Sequence, residues 1–185
     1  RYKSAFRVTH RFARPLGAGT FSELAQDLFG IDNGAQVGLG YRFGIMRGTQ
    51  IGIYRTSNRT SAFFEEYNPL QQRDDGVIGL NVIGTIEGLY NFTESYSPAI
   101  GVVVSRELGS HGALYFEPIW VNNSNPLPSE LVEDNSTFLI GLGARLRIRP
   151  TVYLVGEFIP RVGYDPGVTY GSFGIEKRAG GHVFQ

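Results

Sequence analysis

Between Thr137 and Ile148 the chain alternates without a break: Phe138, Ile140, Leu142, Ala144, Leu146 and Ile148 interleave with Gly141, Gly143, Arg145 and Arg147. In an extended strand, alternate side chains go to opposite faces, so one face here is wholly apolar and the other small and charged. The apolar face runs for about a dozen residues, beyond the five or six of an average globular strand and enough to cross a tilted bilayer. A charged face of that kind has no place in a packed core but suits a watery lumen. The pattern is that of a transmembrane β-barrel strand.

The pattern recurs. Strands are predicted from about Tyr2 to Ala13, Gly34 to Gly44, Thr49 to Thr56, Ser61 to Gln71 and Val77 to Glu87. Further strands are predicted over Pro98 to Glu107, Ala113 to Asn122, Thr137 to Ile148, Val152 to Pro160 and Val168 to Lys177, and another starts near Gly181. About eleven strands at this regular spacing specify an all-β sandwich or barrel. The joins 45–48, 73–76, 108–112, 149–151 and 178–180 are short. Those at 14–33, 88–97, 123–136 and 161–167 are long or irregular, and 57–60 is the shortest of that set. Short and long joins alternate, as in barrels with tight turns at one rim and loops at the other; Greek-key sandwiches have no reason to do so. The expected fold is an antiparallel, up-and-down transmembrane β-barrel.

Composition is compatible with this. No run approaches the 18 apolar residues of a membrane helix, and a barrel shows only half its strand residues to lipid, so a mean hydropathy of -0.11 does not argue against a membrane protein. The chain has no cysteine, which excludes disulfides and thiolate chemistry. Its net charge of +0 provides no bulk field for nucleic acid, and no nucleic-acid partner is expected. The chain starts and stops inside strand patterns, without an initiator Met or a signal peptide. It is expected to be one β-barrel domain over residues 1–185, incomplete at both ends and cut from a longer precursor.

One segment breaks the pattern. Phe21 to Phe29 looks helical, with Thr20 as N-cap, Glu23 completing a capping box and Gly30 as a stop. It either covers the barrel rim or folds into the lumen as a constriction. Asp27 and Asp32 are the candidate loop or constriction carboxylates.

The stretch Thr9 to Phe12, then Asp27 to Ala35, then Gly38 to Phe43 resembles a domain-of-unknown-function family of bacterial outer-membrane β-barrels (DUF5777-like), found in Bacteroidota and related phyla. The resemblance extends over the whole chain, more loosely after the fifth strand. It implies an upstream signal peptide, an outer-membrane location and about 12 strands in the full-length protein. It implies no activity.

The candidate lumen-lining residues are Lys3, Arg7, Arg11, Gln36, Arg42, Asn81, Glu117, Arg145, Arg147 and Glu157. The basic members suit an anion-favouring pore, or they pair with Glu117, Glu157, Glu65 or Glu66 and only stabilise the interior. His10 runs in phase with Phe6, Val8 and Phe12, and no two histidines share a short spacing, so neither catalysis nor a metal site is expected. No cofactor is expected. Asp32 to Gly34 and Asp74 to Gly76 are turn sequences. Trp120, Tyr115, Tyr90, Phe92, Tyr96, Tyr164 and Tyr170 fit an aromatic girdle at strand ends, with sugar stacking as the rival.

Two functions of different class remain open. One is a passive, porin-like channel for small solutes. The other is a closed barrel serving as a structural subunit of a larger envelope complex. The expected partners are the outer-membrane bilayer and, in addition, envelope proteins or further copies of the chain. A soluble lipocalin-like barrel would need the two faces reversed.

Overall fold

The computed structural model describes residues 3–11, 19–28, 34–72, 76–125, 127, 131, 135–163, 169–179 and 182–184. The strands are β1 Ser4–Arg11, β2 Gln36–Met46, β3 Thr49–Thr56, β4 Ser61–Leu70, β5 Gly79–Gly88 and β6 Tyr96–Glu107, with helix α1 Phe21–Gln26 between β1 and β2. They continue as β7 Gly112–Val121, β8 Thr137–Arg149, β9 Val152–Ile159, β10 Arg161–Gly163, β11 Tyr170–Ala179 and β12 His182–Phe184. All belong to one sheet in which sequence neighbours pair antiparallel, except that β10 pairs with β8 and β9 with β11.

The β10 exception has a simple cause. β9 and β10 both lie along β8, Leu142 to Arg149 facing the first and Thr137 to Leu139 the second. Pro160 interrupts them because it has no N–H to donate, although its carbonyl still accepts from Ile140 N at 3.4 Å. The two are one strand running through residue 163. Arg161 to Gly163 therefore lie in the sheet, not in the long connection that the sequence pattern places at 161–167.

Strand bounds follow the alternation closely. β3 falls on its predicted range, and the remaining strands move by a few residues at their ends. The connections keep the short–long rhythm with one departure: residues 71–78, joining β4 to β5, outnumber residues 57–60, which join β3 to β4. α1 is shorter than predicted and carries its capping box, with Thr20 N–H on the Glu23 carboxylate at 2.6 Å and Glu23 N–H on the Thr20 hydroxyl at 3.4 Å.

The sheet's two faces are inverted relative to a water-soluble protein. Phe6 (68% exposed), Leu39, Ile53, Ile100, Trp120, Leu142 and Phe173 (76%) stand out on one face. Among the described residues, Ala113 is the only buried hydrophobic, while Glu176 on the opposite face is 4% exposed. Side chains splay on the convex side of a curved sheet and crowd on the concave side. The apolar face is therefore the outside of the wall and the charged face the inside. Burial of hydrophobics against one another, the main stabilising term of a soluble fold, is almost absent here.

Candidate functional site

Register assigns the faces of residues that alternation alone leaves ambiguous. Glu65 pairs with Ile51 and Gly84, and Phe63 with Ile53 and Ile86, so both point outward. Glu66 pairs with Gln50 and Ile83, and Phe64 with Gly52 and Thr85, so both point inward. Glu65 cannot serve as an interior counter-ion, because successive strand residues face opposite ways.

The predicted lumen residues divide into two sectors. Arg7 and Arg42 project inward from β1 and β2. Lys3 precedes β1, its carbonyl accepting from Gly44 N at 2.9 Å. Arg11 and Gln36 are register partners at the far end of the same strand pair. Arg42 lies over the Phe64 ring, its guanidinium carbon 5.5 Å from the centroid, and that contact takes the place of the expected carboxylate. Close by, Gln50 donates to Glu66. Asn81 faces inward from β5, with its Oδ1 buried and without a hydrogen-bond partner among the described residues.

The second sector lies on β7, β8, β9 and β11, where Glu117, Arg145 and Glu157 come together. They line a recess of about 280 Å³ with Tyr115, Gly143 and Glu176. Glu117 faces Gly141 across one strand boundary and Glu157 faces Gly143 across the next. A Cβ on Gly141 would meet the Glu117 Cβ at 3.0 Å and its Oε2 at 3.5 Å, so the carboxylate folds over a bare backbone floor.

Glu176 is the member that sequence reading misses. Its carboxylate accepts from Arg178 Nε at 2.6 Å and faces Arg145 Nη1 at 3.9 Å. Both guanidiniums stand 4.9 Å from the centroid of the Tyr153 ring. Arg145 thus pairs with Glu176, and none of the four carboxylates expected to neutralise the lumen arginines forms a salt bridge among the described residues. Arg147 lies at the short-turn rim, donating to the Ser110 carbonyl at 3.4 Å and the Pro150 carbonyl at 3.2 Å. It ties two turns together.

The helix and the histidines add little to this site. None of the α1 residues is buried, and Asp27 is its C-cap. A helix plugging a lumen would bury one of its faces. Asp32, Asn33 and the Asp74–Asp75 turn fall outside the described residues. His10 points outward beside Val37, and His111 is exposed in the β6–β7 turn. Among the described residues, no group of three His, Cys, Asp or Glu is placed to hold a metal ion.

An apolar outer wall around an interior of titratable and polar side chains has a physical rationale when hydrocarbon lies outside and water inside. Sequence comparison agrees. No curated protein and no solved structure matches the chain. A family model described as a membrane bound beta barrel domain matches residues 3–185. The outward hydrophobics therefore contact a lipid bilayer, and the chain belongs to the DUF5777 family of membrane-bound β-barrel domains.

Proposed function

We propose that this barrel is a passive channel for small solutes in a bacterial outer membrane. The observation that carries the reading is a pair of inward carboxylates without salt bridges among the described residues. Glu117 and Glu157 face one recess and have no cationic partner among the described residues, although arginines lie within the same sector. Ionised carboxylates without counter-ions need water or mobile cations, because burying a lone charge costs several kcal/mol, by the order-of-magnitude figure for real proteins. An interior that demands water is the first requirement of an aqueous channel. The exposed state of α1 supports the same reading. The bacterial outer membrane is the usual setting for antiparallel up-and-down barrels with tight turns at one rim and loops at the other.

The Arg145–Glu176–Arg178 cluster favours a second reading, a closed barrel acting as a scaffold in an envelope complex. Conductance separates the two. The full-length protein is inserted into planar bilayers and its folded state checked by the mobility of unheated samples in electrophoresis. Unitary current steps are expected. A silent bilayer holding folded protein overturns the channel reading in favour of the scaffold.

A further inference from the structure

Resting on the channel reading, we infer that the interior wall binds small organic cations that carry an apolar group, with the ammonium at Glu117 and Glu157 and the apolar part on a row formed by Ile83, Ile119 and Leu139. The row follows from register: Ile83 faces Gly101, Gly101 faces Ile119, and Ile119 faces Leu139. All four are on the inner face, the face of Glu117 and Tyr115 on β7. Gly101 leaves the space into which its neighbours lean. A Cβ there would meet Ile119 Cγ1 at 2.8 Å and Ile83 Cγ2 at 3.2 Å. The result is a continuous apolar surface across four strands of the inner face.

This surface adjoins the two carboxylates. Glu117 is two residues from Ile119 on the same face, about 6.6 Å along the strand. Gly141, two residues from Leu139, forms the floor beside Glu117. The recess is lined by three carboxylates, Glu117, Glu157 and Glu176, against the single guanidinium of Arg145. Glu176 is shared by Arg145 and Arg178, whose surplus positive charge offsets part of the charge on Glu117 and Glu157; neither of those two forms a salt bridge among the described residues, and three carboxylates still outnumber two guanidiniums.

These two features select one chemistry. An inorganic cation answers the carboxylates and leaves the isoleucines facing water. A neutral hydrocarbon covers the isoleucines and leaves the carboxylates unanswered. An anion is repelled. A cation with an alkyl or aryl group satisfies both, each part strengthening the hold of the other because they are joined.

The test uses single channels of the full-length protein in potassium chloride, blocked by methylammonium or by n-butylammonium. In the wild type, n-butylammonium is expected to block at a concentration about tenfold lower, since its three extra methylenes leave water on a partly covered surface. Ile119→Ser is expected to remove that difference and leave methylammonium block unchanged. Val103→Ser, beside the row on β6, serves as a second variant if the first misfolds. Glu117→Gln/Glu157→Gln is expected to abolish block by both amines and lower cation preference. Equal block by the two amines in the wild type overturns the inference and leaves the channel standing. So does a difference that survives in Ile119→Ser, which would also result if another segment of the chain covers the row. A silent bilayer with folded protein overturns both.

Discussion

Arg178 and Glu176 lie two residues apart on the same face of β11, Nε to Oε1 at 2.6 Å, and the same oxygen faces Arg145 on β8. Tyr153 of β9 provides the ring over which both guanidiniums sit, so one buried carboxylate ties three strands together. Glu176→Gln keeps the shape and removes the charge, leaving two guanidiniums facing each other over an aromatic ring. A loss of roughly 2 kcal/mol in unfolding free energy is expected, read from urea titration of vesicle-inserted protein. Arg178 is far more exposed, so Arg178→Gln is expected to cost less than about 1 kcal/mol. Equal losses from the two would show that the carboxylate is not the hub.

Glu65 faces outward in a row formed with Phe43, Ile51, Gly84, Ile100 and Trp120. A carboxylate against hydrocarbon is a cost, and no salt bridge among the described residues offsets it. Glu65→Leu is expected to stabilise the inserted barrel by about 1 kcal/mol in the same titration, below the figure for a lipid-facing cation at the bilayer midplane. Glu66→Leu, one residue away, is expected to destabilise, since it removes the partner of Gln50 from a polar interior.

Gly38 is a site of close approach. The Tyr54 hydroxyl occupies the position where a Cβ would project from it and is 2.7 Å from the Thr9 hydroxyl. Gly38→Ala must displace that ring and is expected to cost about 1–3 kcal/mol, as overpacking does elsewhere. Most of the loss is expected to disappear in a Tyr54→Ala background, and a double-mutant cycle measures this.

At the loop rim, Phe92 covers Gly88 and stacks on Phe63 with ring centroids 5.7 Å apart. Tyr90, Asn91 and Phe92 all have positive φ, a conformation that non-glycine residues hold only when neighbours enforce it. The enforcing contacts are Asn91 N–H on the Arg59 carbonyl at 3.1 Å and Arg55 Nη1 on Asn91 Oδ1 at 2.9 Å, which fasten this loop to Arg59 in the β3–β4 join and to the end of β3. Gly88→Val displaces Phe92. Trypsin cleavage after Arg59 is then expected to accelerate severalfold, because local opening governs proteolysis.

The wall was legible in the sequence because its signal is periodic. Thr49 to Thr56 and Thr137 to Ile148 place apolar side chains on every second residue, and β3 and β8 follow them. Periodicity fails at doublets. Phe63–Phe64, Glu65–Glu66 and Val82–Ile83 offer one residue to each face, and only pairing with a neighbouring strand decides which. The inner apolar row was invisible for this reason: Ile83 belongs to a doublet, and Ile119 and Leu139 are flanked by outward hydrophobics that mask them. Glu176 was lost differently. It lies in a glycine-rich strand with only Phe173 and Ile175 to set the phase, and its role comes from Arg145 on a strand 31 residues earlier. Helix capping, by contrast, is local chemistry, and the Thr20–Glu23 box was read directly.

With Ala113 as the only buried hydrophobic among the described residues, the chain has no oily interior of its own to collapse onto. Lipid takes that part. The outward belt on β5 to β8, strands of 10 to 13 residues, is about 25 Å tall when tilted as such strands are. The folded state therefore has a preferred membrane thickness. Acyl chains that are too long or too short cost a fraction of a kcal/mol per Å, an energetic term that a water-soluble domain never meets.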